Sequence, residues 1–202
     1  MKTLILAAGD FPRTPRVLQL FEQADFIACC DGATQTCLAA GHEPQLIVGD
    51  GDSLPPALKQ RYADCFVHTP DQEHNDLTKT FRQCLALGHR DITIVGATGK
   101  REDHALGNIA LLMDYAEELP SVTMVSDYGT FYPATDQLRL SVRVGQEVSI
   151  FNFGARYFSA IGLEYPLYDF TRLWQGTLNK ALRPDIAIHA KGRFLVYVAE
   201  ED

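Results

Sequence analysis

Short apolar runs and helix-spaced apolar positions take turns along the first two thirds of the chain. Runs at 3–8, 26–30, 46–48, 65–67, 92–95 and 122–125 have the length and composition of buried strands. Between them, 15–23, 33–39, 55–62, 77–87 and 104–118 read as helices. Val17, Leu18, Phe21 and Ala24 recur at helical spacing, and so do Phe81, Cys84, Leu85 and Leu87. Strands that alternate with helices predict a parallel sheet covered on both faces. In such sheets ligands bind beyond the carboxyl ends of the strands.

Near Gly129 the pattern changes to short strands and turns. Val148, Ile150 and Phe151 lie in one run, and residues 185–190 alternate polar and apolar. Lys191-Gly192 has the look of a hairpin turn, with 194–198 as the returning strand. The expectation is α/β: an N-terminal parallel-sheet α/β domain over 1–130, the catalytic part, followed by a small C-terminal antiparallel β-sandwich over 131–202.

Composition narrows the partners. The 202 residues are enough for a real hydrophobic core. A net charge of -8, with no basic run, argues against nucleic acid, whose phosphates want clustered Lys and Arg. A phosphorylated small molecule stays open, because a bound metal reverses the local field. Five cysteines, at 29, 30, 37, 65 and 84, show no CxxC spacing and fit reduced, buried thiols of a cytoplasmic protein. The first apolar run stops at Gly9-Asp10, too short for a secretory core, and no run reaches the roughly 20 residues of a membrane span.

Three acidic segments follow predicted strands. The first is Gly49-Asp50-Gly51-Asp52-Ser53. In an extended segment Asp50 and Asp52 would face the same side, a pair suited to Mg²⁺, which takes one or two carboxylates with phosphate oxygens and water. The second is Asp71-Gln72-Glu73-His74-Asn75-Asp76. Here Asp76 is either a helix N-cap or a ligand, and Thr78 and Lys79 near the helix start could meet a phosphate. The third, Gly96-Ala97-Thr98-Gly99-Lys100-Arg101-Glu102-Asp103-His104, combines small residues with Lys and Arg as countercharge. Its spacing is not that of a Walker A loop, and neither GxGxxG nor GxSxG occurs. The six histidines form no HExxH or Cys/His zinc pattern. In the tail, Tyr157, Phe158, Tyr165, Tyr168, Phe170 and Trp174 form an aromatic group that serves as core or stacks on a flat heterocycle.

In this order the motifs resemble the thiamine pyrophosphokinase (thiamine diphosphokinase) family. The likeness starts at Asp31-Gly32-Ala33 and runs through the three acidic segments, with Val48 and Leu54 flanking the first, Thr69-Pro70 before the second, Leu77-Thr78-Lys79 after it and Asn108 beyond the third. It resumes at Gly162-Leu163-Glu164-Tyr165-Pro166-Leu167, Gly176 and Asn179, and closes over 191–198. The resemblance implies transfer of a diphosphate from ATP, as co-substrate, to the hydroxyl of thiamine, with release of AMP. It also implies a thiamine-binding β-sandwich and a homodimer with the active site at its interface. By the same resemblance Asp50, Asp52 and Asp76 hold Mg²⁺. Asp31, Thr78, Lys79, Thr98, Gly99 and Arg101 meet ATP. Asp71, Gln72 and Asp103 are catalytic, with Asp103 completing the acidic cluster. Gln72, Tyr165 and Asn179 face thiamine.

The chain departs from the family pattern at four places. Gly51 replaces the aromatic of GDFDS, Ala33 the second glycine of DGG, and Lys100 the middle glycine of GGR. Leu178-Asn179 stands for a Ser-Asn pair, in a shortened loop. Two other readings are another Mg-dependent nucleotide phosphohydrolase and a non-catalytic thiamine or nucleotide sensor.

Overall fold

Consecutive buried residues, not alternating ones, mark the central strands of the N-terminal half. The structure, a computed structural model, describes residues 1–200. Its parallel strands are β1 (Lys2–Leu6), β2 (Phe26–Cys30), β3 (Leu46–Gly49), β4 (Phe66–His68) and β5 (Asp91–Val95). Leu4, Ile5 and Leu6 are all buried, as are Ile47 and Val48, which is the pattern of a sheet covered on both faces. The strands stand in the order β5-β1-β2-β3-β4, every pair parallel. Order reverses at β1, whose neighbours are β2 on one side and β5 on the other. The crevice beyond the ends of β1 and β5 is therefore the topological switch point, where α/β sheets bind ligands.

The helices are α1 (Pro15–Gln23), α2 (Thr34–Ala39), α3 (Pro56–Arg61), α4 (Asp76–Ala86) and α5 (Glu102–Glu118). Proline opens α1 and α3, where its missing N–H is not needed and its fixed φ suits the first turn. Of the periodic residues, Val17 and Phe21 are buried on α1 and Phe81 and Cys84 on α4, Leu18, Ala24 and Leu85 are half-buried, and Leu87, just past the end of α4, is exposed. A single 3₁₀ turn, Asp31–Ala33, precedes α2. No helix among the described residues is long and apolar enough to cross a membrane.

After β6 (Thr123–Ser126) the chain becomes antiparallel. It contains β7 (Gly129–Ser141), β8 (Glu147–Asn152), β9 (Arg156–Ile161), β10 (Asn179–Lys180) and β11 (Asp185–Ala199). β11 is the spine: β7 pairs along nearly its whole length, β9 takes its first half and β8 its second. Ile150, Phe158, Phe170, Ile188, Phe194 and Val196 fill the core of this unit. The expected mixed architecture, parallel first and antiparallel after, is what the structure has.

The hairpin expected at Lys191-Gly192 is absent. Both predicted arms belong to β11, and both pair with β7, so the chain does not reverse there. The register slips between His189 and Arg193 instead. Gly192 sits at φ +117, and its N–H donates to Asp136 Oδ1 at 2.8 Å. A Cβ at Gly192 would lie 3.0 Å from the Ala155 Cα. Glycine is thus required by a bulge rather than by a turn.

The chain divides into two compact units. One is Met1–Leu111 with Met124–Asp127; the other is Leu112–Thr123 with the chain from Tyr128 onward.

Candidate functional site

The switch point of the parallel sheet opens into a cleft of about 830 Å³. Ala7, Ala8 and Gly9, just after β1, line it, with Cys30 at the end of β2 and Ala97 and Thr98 after β5. Its charged lining consists of Asp50, Glu73 and Asp76 against Lys79, Lys100 and Arg101. Acids and bases meeting in one crevice suit a ligand that carries both anionic oxygens and a cation.

The cap of α4 decides which carboxylate is free. Asn75, not Asp76, is the N-cap: its Oδ1 accepts from the Thr78 N–H at 2.9 Å and from the Thr78 hydroxyl at 2.8 Å. The capping alternative for Asp76 is thereby set aside. Asp76 occupies the first helical position and receives Lys79 Nζ at 3.0 Å. Asn75 Nδ2 also donates to Asn108 Oδ1 at 3.0 Å, and Asn108 Nδ2 donates to the Ala97 carbonyl at 2.8 Å. One chain of amides therefore joins α4, α5 and the loop after β5.

The segment after β3 is a turn, not the extended stretch expected for Asp50 and Asp52. Gly51 has φ +81, and the Asp52 N–H donates to Asp50 Oδ1 at 2.9 Å. That amide holds the Asp50 carboxyl below the usual carboxylate range. Asp50 lines the cleft and Asp52 does not. Beneath the turn lies Asp31, buried, accepting the Gly32 N–H at 2.5 Å and the Gly51 N–H at 2.8 Å. Burial, then repulsion from Asp76, pushes the Asp31 carboxyl up despite these donors. Asp31 thus braces the turn from below and does not line the cleft.

The loops after β1 and β5 are zipped together. The Gly9 N–H donates to Gly96 O at 2.6 Å, the Asp10 N–H to Thr98 O at 2.8 Å, and Lys100 Nζ to Ala8 O at 2.8 Å. Arg101 forms a two-pronged pair with Asp103, at 3.1 and 2.6 Å, which holds the Asp103 carboxyl down at about 2. Asp71 has both oxygens engaged, by the Glu73 N–H at 2.8 Å and by His74 Nδ1 at 2.6 Å. The Glu73 amide first, then His74, keeps its carboxyl low.

Of the residues singled out in the first unit, Asp50, Gln72, Asp76, Lys79, Thr98 and Arg101 line the cleft. Asp31, Asp52, Asp71, Thr78, Gly99 and Asp103 do not: Asp31 and Thr78 are buried, as brace and cap partner, while Asp52, Asp71 and Asp103 are exposed. His74, Lys100, His104 and Asn108 also line it and were not singled out. Lys100 had a signal, as countercharge in the third segment, and so did Asn108, which the resemblance reached.

In the second unit Asn179 is buried and wholly engaged. Its Oδ1 accepts from the Tyr165 N–H at 3.0 Å, and its Nδ2 donates to the Tyr165 carbonyl at 2.9 Å. Tyr165 itself is exposed. The preceding Leu178, at φ +60, is a rare non-glycine in the left-handed region. The aromatic group divides by role: Phe158 and Phe170 pack in the core with ring centroids 5.3 Å apart, while Tyr157, Tyr165, Tyr168 and Trp174 are exposed.

A divalent cation is a fair test of the cleft. Among the described residues no three His, Cys, Asp or Glu side chains converge as a complete ligand set. A hard cation that keeps waters and takes phosphate oxygens needs only one or two protein carboxylates. Asp50 and Asp76 both line the cleft, and both charges are felt at the buried Asp31. The donor set fits such a cation as a partial shell.

Fold and cleft define a two-part α/β protein with a switch-point ligand site and an antiparallel β unit after it. Comparison with known proteins narrows this further. Residues 17–124 match the model of the thiamin pyrophosphokinase catalytic domain, and residues 129–197 match that of the thiamin pyrophosphokinase substrate-binding domain. The chain belongs to the thiamin pyrophosphokinase family.

Thiamine pyrophosphokinase of Bacillus subtilis (strain 168) is 32% identical over 117 residues, 55% of each chain. Thiamine pyrophosphokinase 1 of Oryza sativa subsp. japonica is 29% identical over 85 residues, 37% of this chain and 32% of that one. The chain thus spans about a third to a half of the length of these curated relatives. Among solved structures, thiamine pyrophosphokinase from Bacillus subtilis superposes with a TM-score of 0.81 at 20% identity, covering 100% of both chains. Thiamin pyrophosphokinase from Candida albicans gives 0.81 at 15% identity, covering 99% of this chain and 90% of that one. These likenesses show the fold.

Proposed function

We propose that this chain is a thiamine diphosphokinase, an ATP-dependent transferase that moves a diphosphate to the hydroxyl of thiamine and releases AMP. The observation that carries the reading is the switch-point cleft, where Asp50 and Asp76 face Lys79 and Arg101, in a chain matched by both family models. Phosphoryl-type transfer needs positioning and charge neutralisation more than covalent chemistry. The residues supply both. Lys79 and Arg101 meet phosphate oxygens, with Thr98 and Gly99 giving close backbone approach. Thr78 and Asp31 act from behind, through the α4 cap and the Gly51 turn.

Gln72, which lines the cleft beside Asp50, orients the thiamine hydroxyl. Asp71 fixes His74, and Asp103 fixes Arg101. Asp50 and Asp76 would hold Mg²⁺, with Asp52 of the same turn as the third acid that the resemblance implies. Bound there, the ion supplies charge neutralisation on the phosphate oxygens. Tyr165, exposed and tied by its backbone to Asn179, is the thiamine-facing residue of the second unit. The proposal includes 1–130 as the catalytic part and 131–202 as the thiamine-binding part. It also includes a homodimer with the active site at its interface, and a cytoplasmic setting that suits the free cysteines.

The test is a chromatographic assay with thiamine, ATP and Mg²⁺. Equimolar thiamine diphosphate and AMP are expected. Thiamine monophosphate with ADP, or phosphate release that ignores thiamine, would overturn the proposal.

A further inference from the structure

Among the described residues Lys79, Lys100 and Arg101 are the lysine and arginine side chains that line the cleft, and they are not in equivalent states. Lys79 is paired with Asp76 at 3.0 Å, and Arg101 with Asp103 at 2.6 Å. Lys100 has a different partner: its Nζ donates to the Ala8 carbonyl at 2.8 Å. Among the described residues no carboxylate lies within ion-pair distance of it. A carbonyl takes one of the three ammonium donors and cancels none of its charge. Lys100 therefore offers the cleft a full positive charge and two remaining N–H donors. An arriving anion does not have to break an ion pair to use them.

The ammonium is also held in place from both ends. Ala8 follows β1, and Lys100 belongs to the loop after β5. The two loops are fastened by Gly9 N–H to Gly96 O and Asp10 N–H to Thr98 O. A flexible lysine pinned in this way loses little further freedom when it meets a ligand. Its anchor point, the end of β1, is where the switch-point crevice opens. The ligand must be strongly anionic, since Asp50, Glu73 and Asp76 line the same cleft and would repel a weak anion. A side chain here is also an addition: the resembling pattern has glycine at this position.

We infer that Lys100 is a polyphosphate-binding residue of this cleft, the one cation there that meets the nucleotide's phosphate chain without first leaving a carboxylate. The inference deepens the diphosphokinase reading and rests on it for the identity of the nucleotide.

Inorganic tripolyphosphate, titrated calorimetrically into the purified protein with Mg²⁺ present, is the probe. Lys100→Gln keeps a donor for the Ala8 carbonyl and removes the charge; Lys100→Arg keeps the charge. Lys100→Gln is expected to weaken tripolyphosphate binding about tenfold, the scale of one charge-assisted hydrogen bond, with Lys100→Arg close to the parent. The ATP KM should rise by a similar factor while the thiamine KM stays put. A Lys100→Gln protein that melts like the parent and binds tripolyphosphate equally well overturns the inference, leaving the lysine only as a loop staple. The parent's own assay separates the two readings. If it makes thiamine diphosphate and Lys100→Gln changes neither binding nor KM, the lysine falls alone. If it makes none, yet Lys100→Gln loses tripolyphosphate, the lysine stands and the reaction falls.

Discussion

Asn75 takes the cap of α4, and the consequence for its neighbour is chemical. An Asp at a cap spends its carboxylate on backbone N–H groups; Asp76, one position on, keeps its own for the cleft. Both residue types cap well, so sequence could not choose between them. Asn75→Ala should cost about 1 kcal/mol of stability, the usual value of a lost cap. It should also release Asn108, so the loss in activity should exceed what stability explains; Asn75→Ser should restore the stability alone. Urea melts beside turnover measurements check both halves.

His89 gives a pH dependence at the same scale. It is buried, its Nδ1 meets Thr3 Oγ1 at 2.5 Å, and its ring packs on Phe26. Burial, then the positive N-terminus and Arg90, holds its pKa below the usual value. The unfolded chain then binds the proton more readily than the folded one. Stability should fall as pH drops below about 6.5, where free imidazole charges, until the folded imidazole titrates too. Urea midpoints at pH 7.5 and 5.5 should differ in the parent and differ less in His89→Gln; equal shifts would count against it.

At the scale of elements, what was legible followed from what each signal encodes. Apolar runs such as 26–30 and 46–48 have the length and composition of a buried parallel strand, and Val17, Leu18 and Phe21 together share a face on a helix but not on a strand. Lys191-Gly192 was misread because a glycine with positive φ serves a hairpin turn and a bulge equally well. Only the pairing of both halves of β11 with β7 tells them apart, and that is a long-range fact. The turn at 50–53 escaped for a related reason: Asp50 bonding the Asp52 amide is a side-chain choice that no periodicity records. Gly192→Ala tests the bulge directly. At a φ of +117 and with the Ala155 Cα at 3.0 Å, a methyl group there would be strained and crowded. A loss of about 1–3 kcal/mol is expected in a denaturant melt, whereas Gly41→Ala, in open space, should lose only the cost of its positive φ.

For the molecule as a whole, the acids and the order of the motifs were readable because strand ends are where such sheets place ligands. Which acids face the cleft was not readable. Asp31, expected from the resemblance to meet ATP, is a buried brace, and Asp52, expected beside Asp50, lies outside the lining. Lys100 gained its distinct state only when the loops after β1 and β5 came together.

If a diphosphate moves as a unit, as proposed, the bond broken is the one between the α- and β-phosphates of ATP. ATP labelled at the β-phosphorus reads this directly. Label is expected in thiamine diphosphate, with the AMP unlabelled. Label retained in ADP, or released as inorganic phosphate or diphosphate while thiamine stays unmodified, would contradict it.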